Sequence, residues 1–238
     1  MGSGTVRTAV VAAAVMTVFA GCETGSGDPA KPAADTTSGS PSASAAPAKK
    51  YTAGQLKKAL IKPPAGAMAI RTGSGSWNKV LAKYVGGDEA ELTEIKPACD
   101  SISHADLKKL VSTPSAFVSF AQIERSSSVL LVGIPSAEAK QAAIGPVPEA
   151  CRTTKAEVGG STLTTKVVSD EAFDLGDGGR IVRTDQTGGG VRLRTWQITF
   201  AGPGYLAMTD ITGNGSVTRA DAERLARQAY RKASSTLK

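Results

Sequence analysis

Arg180, Arg183, Arg192 and Arg194 crowd one stretch of this chain, with Trp196 two residues further on. Guanidinium groups offer planar forks of donors that suit phosphate and carboxylate, and an indole face suits a cation or a sugar ring. In an extended strand Arg192, Arg194 and Trp196 point to one side, because side chains alternate with a period of two. That pattern fits an anionic glycan or a lipid head group, and it equally fits a solvated sheet face whose charges protect an edge. A second candidate is Asp210-Ile-Thr-Gly-Asn-Gly-Ser-Val-Thr-Arg-Ala-Asp221, which overlays a calcium loop. Asp210, Thr212, Asn214, Thr218 and Asp221 supply the oxygens, and Gly215 falls where such a loop turns. Three features oppose it: Thr212 replaces a carboxylate, Asp221 is a short terminal ligand, and the entering segment has the period of a strand. A strand–turn–helix connection, with Asn214-Gly215 as turn and Thr218 as cap, explains the same residues without a metal. Catalytic patterns are missing from the sequence. His104 is the sole histidine, and neither GxSxG, GxGxxG nor a P-loop occurs, so no enzyme and no cofactor is expected.

Covalent chemistry points elsewhere. Val10 to Phe19 is an apolar run of ~15 Å as a helix, half of a bilayer core, preceded by Arg7 and followed by the small residues Ala20 and Gly21. It is too short to span and has the organisation of an export signal. Phe19-Ala-Gly-Cys22 resembles the lipobox of bacterial lipoproteins, with Phe19 in place of the usual Leu. The resemblance implies that Cys22 receives diacylglycerol and becomes the first residue of the mature chain. An ordinary secretory signal with an incidental cysteine is the alternative. Two acyl chains suffice for stable attachment to a membrane. With Cys22 so used, Cys99 and Cys151 form the even pair expected to close a disulfide in an oxidising compartment. That cross-link would stabilise the fold by ~4 kcal/mol on the loop-entropy view.

These residues divide the chain into three parts. Residues 1–21 are the signal peptide. Residues 22–50 are the lipidated cysteine and a Gly, Ser, Thr, Pro and Ala-rich tether that cannot bury enough surface to fold, with a reach of ~30 Å. Residues 51–238 form one domain large enough for a real core. The formal net charge is +7, of which Arg7 alone leaves with the signal. Such a surplus suits anionic envelope polymers and lipids, and it also suits mere solubility. The wealth of Ala, Gly and Thr resembles actinobacterial sequences.

Within the domain, Thr52 and Gln55 have capping-box spacing ahead of a short helix that Pro63-Pro64 ends. A short strand is expected at Ala67 to Arg71, and helices at Trp77 to Val85 and Ser103 to Val111. Ala116 to Ile123 and Val129 to Ile134 have strand period, with Glu124 to Ser128 as the spacer of a hairpin. A helix follows at Ser136 to Ala143. Then come Lys155 to Val158 with Thr162 to Val168, Gly179 to Asp185 with Val191 to Phe200 across Gly188 to Gly190, and a last strand from Gly204 to Ile211. Thr218 opens the clearest helix, with Ala222, Leu225, Ala226, Ala229, Tyr230 and Ala233 in one stripe. The class is α+β, a mainly antiparallel sheet with flanking short helices and a C-terminal helix packed on it.

The order of parts resembles the extracytoplasmic sensor-type domain of actinobacterial lipoproteins and of mycobacterial receptor Ser/Thr kinases of the H type. The residues that carry it are Tyr51-Thr-Ala-Gly-Gln-Leu-Lys-Lys-Ala-Leu60, Ala98-Cys99, Ala150-Cys151, Leu175-Gly-Asp-Gly178 and the terminal Arg219 to Ala233 helix. The resemblance implies a cleft and ligand binding rather than catalysis. It differs from the kinases in lacking a kinase domain, a spanning helix and a second cysteine pair. The expectation is therefore a lipid-anchored module on the outer side of the cell membrane that senses or binds a small apolar or anionic envelope ligand. The alternative is a structural protein that grips anionic wall polymers through its basic hairpin. No reading motif supports a nucleic-acid partner, and the sequence does not set an oligomeric state.

Overall fold

The computed structural model describes residues 50–85, 111–158 and 161–238. The helix expected from Ser103 therefore lies outside the described residues, apart from Val111, which sits in a turn. Eight strands form one sheet: β1 (Met68–Ser76), β2 (Pro114–Gln122), β3 (Arg125–Val132), β4 (Thr153–Val158), β5 (Ser161–Phe173), β6 (Gly179–Gly188), β7 (Val191–Gly202) and β8 (Tyr205–Gly213). Their order is β1-β2-β3-β8-β7-β6-β5-β4, and every pair is antiparallel. The described helices are α1 (Ala53–Ala59), α2 (Trp77–Val85), α3 (Ser136–Ile144) and α4 (Arg219–Thr236), with a single 3-10 turn at Glu149–Cys151.

The central strands are apolar on both faces, and that dictates two helical layers. Ala116, Val118 and Phe120 of β2, Val129 and Leu131 of β3, and Tyr205, Ala207 and Ile211 of β8 face one side, where α1 and α4 cover them. Phe117, Leu130, Val132, Leu206 and Met208 face the other, where α2 and α3 supply Trp77, Val80, Ala139 and Ala143. Burying each large side chain removes apolar surface worth roughly 1.5–3 kcal/mol. The Ala222, Ala226, Ala229 and Ala233 stripe lets α4 lie close on its face of the sheet.

Capping is as the spacing requires. In α1 the Gln55 amide donates to Thr52 Oγ1 at 3.3 Å, and the Thr52 amide donates to Gln55 Oε1 at 2.8 Å. Thr218 and Asp221 repeat this at the start of α4, at 3.2 and 3.1 Å. Each reciprocal pair satisfies amides that the first turn cannot. The β5–β6 turn uses Gly176 at φ +65, where an added Cβ would stand 2.1 Å from the Ala201 carbonyl; only glycine fits.

The clearest differences from the sequence expectation lie at three places. The first strand runs to Ser76, because Arg71 to Ser76 pairs in register with β2. Glu124 to Ser128 is not a long spacer: Gln122 already pairs with Arg125, so Ile123 and Glu124 alone make the turn. Its cost is visible in Glu124 at φ 63 and Ile123 at 83% exposure. Finally, β5 continues past Val168 to Phe173 after a register shift between Val167 and Ser169.

Candidate functional site

Strands β5, β6 and β7 are longer than the helices that cover them, and their charges lie where the cover stops. On β7, the residues Arg192, Arg194 and Trp196 continue the same alternation as buried Ile198 and Phe200, so all five point to the α4 side. On β6, Arg183 and Asp185 share that side. The Arg183 guanidinium makes a fork onto Asp185, with Nε donating to Oδ1 at 3.1 Å and Nη2 to Oδ2 at 2.6 Å. Arg194 Nε reaches Asp185 Oδ1 at 3.5 Å, and its Nη1 donates to the Gly215 carbonyl at 3.1 Å. Hydrogen bonding from Arg183 holds the Asp185 carboxyl below its ordinary range, with the nearby charges of Arg183 and Arg194 adding to it. The same bond raises Arg183. One carboxylate therefore orients two guanidiniums.

Cross-strand register adds further cations. Lys166 of β5 stands opposite Asp185, and Lys155 of β4 stands opposite Thr164 on the same side. Both lysines and Arg192 are exposed. Asp185, Thr187, Arg192, Leu193, Arg194 and Gly215 line an open concavity of about 310 Å³. Trp196 packs partly buried against the core, between Arg183 and Ile211. Its indole nitrogen is buried with no acceptor among the described residues. The surface so formed suits an oxyanion, since its forked donors and ammonium groups carry more positive charge than the single carboxylate of Asp185 neutralises.

Arg180 does not join this group. It points to the opposite face, where its Nε donates to Asp170 and its Nη1 to the Ile144 carbonyl at 3.2 Å. The Asp170 side chain is 1% exposed and also receives the Val147 amide at 3.0 Å and the Arg152 guanidinium at 3.6 Å. This network pins the crossover from α3 to β4. It lies beside the small cluster of Val147, Cys151 and Val182. Arg180 is thus structural, and strand alternation explains why: it is an odd number of residues from Arg183.

The calcium-loop residues do not converge. Asp210 and Thr212 point to the α2 and α3 side, where Ser128 donates to Asp210 and Thr212 Oγ1 lies 2.8 Å from Thr195 Oγ1. Asp221 stands on the other side, holding the Thr218 amide and hydroxyl. Asn214 is exposed in the turn. Among the described residues no group of three His, Cys, Asp or Glu is placed to hold a metal ion. Cys22, Cys99 and His104 lie outside the described residues, and Cys151 is buried. Asp185, Lys155 and Lys166 are the site residues that the sequence reading missed. Alternation within β5 puts Lys166 on a defined side, but its place opposite Asp185 depends on pairing register.

Among the described residues no helix is long and apolar enough to cross a membrane. No family model matches the chain, and no curated protein matches its sequence. Solved structures are similar, two of them as follows. The extracellular domain of PknH from Mycobacterium tuberculosis aligns with a TM-score of 0.50 and 11% identity over 79% of this chain and 98% of that one. An uncharacterised Mycobacterium smegmatis protein, the Rv0999 ortholog, aligns at a TM-score of 0.32 and 16% identity over 74% and 78%. The first likeness is one of fold: the domain is built like the extracellular domain of that protein.

Proposed function

We propose that this chain is a non-catalytic, sensor-like binding module of the cell envelope, and that its recognition surface for anionic envelope ligands is the basic face of β5, β6 and β7. The observation that carries this reading is the carboxylate of Asp185 holding Arg183 and Arg194 on an open face beside Arg192 and Lys166. A sheet face stabilised for its own sake would not place so many like charges together, because their mutual repulsion lowers stability.

The reading includes a lipid on Cys22, an extracytoplasmic location and a disulfide between Cys99 and Cys151. Tyr51 begins the domain beside Tyr205, with its hydroxyl donating to the Leu237 carbonyl at 3.3 Å. That is the end of the sheet remote from the Gly188–Gly190 turn. The tether joins the domain at the end opposite the arginines, an arrangement that leaves the basic face free to meet wall polymers. An apolar ligand in a deep cleft gains less support, since the described concavities are open and rimmed by charge.

Pull-down with purified anionic wall polymer tests the proposal. The native protein should be retained, and R183A/R192A/R194A should lose most of that retention while still folding. Equal retention of both would remove the site. Separately, C22A should move the protein from the detergent phase to the aqueous phase on detergent partition; an unchanged distribution would remove the lipid anchor.

A further inference from the structure

We infer that the outer surface of the helical layer made by α1 and α4 is a second docking surface, and that its partner is an anionic lipid bilayer. It is separate from the β5–β7 face and goes beyond the reading above, with which it shares only the tether. The distribution of charge leads to it. Residues 50–66 and 218–238, which hold α1 and α4 with their flanking turns, carry ten basic and two acidic residues, a surplus of eight. The whole chain has a surplus of seven, so the rest of the sequence is close to neutral and this layer holds the excess. There is no acidic residue in α1, and its Lys57 and Lys58 are exposed, as are Lys50 before it and Lys62 after it. On α4, Arg224, Arg227 and Arg231 follow one another at spacings of three and four, opposite the buried stripe of Ala222, Ala226, Ala229 and Ala233, and Lys232 is exposed beside them.

The two helices lie side by side and run in opposite directions. Helix α1 rests on β1 and β2, and α4 rests on β7 and β8. The Tyr51 hydroxyl ahead of α1 donates to the Leu237 carbonyl past the end of α4, while Lys62 after α1 lines one concavity with Arg224 and Gln228 of α4. Their cations therefore form a single patch two helices wide. The two carboxylates of the layer do not offset it, because both sit at the start of α4 and are already held: Asp221 by Thr218, Arg224 and Arg125, and Glu223 by Arg219. Lys57, Lys58, Lys62, Arg231 and Lys232 make no ion pair among the described residues. Asp174 and Asp177 are exposed in the β5–β6 turn, on the flank of α4 away from α1. A bilayer rich in anionic head groups fits such a patch, being negative over an area larger than the patch itself, whereas a strand of polymer follows one row of charges. The chain enters at Tyr51, immediately before α1, so a tether of ~30 Å keeps this layer within reach of the membrane that holds its far end.

The experiment uses the mature chain carrying C22A, so that no lipid contributes, with vesicles of phosphatidylglycerol and with vesicles of phosphatidylcholine. The docking surface requires binding to the first and not to the second. That binding should weaken as salt rises, since exposed charges are screened over ~8 Å at physiological ionic strength. Each exposed cation should change the affinity about fivefold. K57A/K58A/R231A/K232A should therefore bind phosphatidylglycerol at least about a hundredfold more weakly, with melting curves verifying the fold. R183A/R192A/R194A should bind the same vesicles within about fivefold of the parent. Equal binding to both lipids, no binding to either, or undiminished binding by the helical-face variant overturns the proposal. So does a loss confined to R183A/R192A/R194A, which would make the sheet face the membrane contact. If the helical-face variant also loses its retention on anionic wall polymer, the layer is a polymer site and the bilayer is overturned as its partner. Polymer retention that survives while vesicle binding fails removes this inference and leaves the β5–β7 reading standing.

Discussion

The two ends of β6 and β7 obey the same alternation and meet opposite fates. At the closed end Ile198, Phe200 and Tyr205 are fully buried, Phe200 meets Tyr230 edge-on with ring centres 5.9 Å apart, and Tyr51 lies 6.4 Å from Tyr205. Burial pushes the Tyr205 phenol upward, with the neighbouring Tyr230, Tyr51 and Asp177 adding to it. At the open end the positions on the same side are Arg183, Asp185, Arg192 and Arg194, all exposed or half-exposed. Length explains the division. The twelve residues of β7 extend ~40 Å, whereas the eighteen of α4 extend ~27 Å. One helix cannot cover the strand it packs on, so the sequence fills the remainder with groups that water tolerates. The lesson is that the site is the part of the sheet the helices leave over.

The comparison breaks first at the closed end. Phe200→Ala should cost ~3–5 kcal/mol in denaturant unfolding, since the cavity sits between α4 and the sheet. Charged groups sharpen it further, because Asp170 and Asp185 each hold two arginines in different surroundings. Asp170→Ala leaves Arg180 uncompensated at a buried carboxylate site and should cost ~3 kcal/mol or more. Thr218→Ala removes the cap of α4 and should cost ~1 kcal/mol. Asp185→Asn should change stability by less than ~1 kcal/mol, as half-exposed ion pairs contribute little. It should also raise affinity for anions, by releasing the charge of Arg183 and Arg194. Weaker anion binding in Asp185→Asn would mean that fixed orientation matters more than free charge.

Acid distinguishes the same groups. The Asp185 and Asp221 carboxyls are lowered in the fold, each chiefly by hydrogen bonding, from Arg183 and from Thr218. A lowered carboxyl contributes stability above its unfolded value near ~4 and loses it as pH falls through the folded value. Stability should therefore be level at neutral pH with respect to these groups and decline below about pH 4. Asp221→Asn should make that decline shallower, as read from unfolding free energy against pH.

Local order was legible in the sequence wherever short-range physics decides it. Thr52 with Gln55 and the cap residue Thr218 announced two helices, and the alternation in β7 assigned its faces correctly. Arg192, Arg194 and Trp196 share a side as that alternation requires. What failed was register. The shift between Val167 and Ser169 decides which residue of β5 meets Asp185, and no local preference encodes it. The Ile123–Glu124 turn was missed because neither residue favours a tight hairpin, and Glu124 adopts a backbone that glycine or asparagine usually takes. Counting arginines by proximity in sequence also misled, since Arg180 sits near the others along the chain and on the other side of the sheet.

The central claim is that the uncovered basic face binds anionic wall polymer and the covered end does not. Isothermal titration of the mature chain with purified anionic wall polymer tests this, with R183A/R192A/R194A alongside. The account predicts binding that weakens as salt rises and is reduced at least about tenfold in the variant. Equal affinity in both proteins, with both folded by thermal melt, would contradict it.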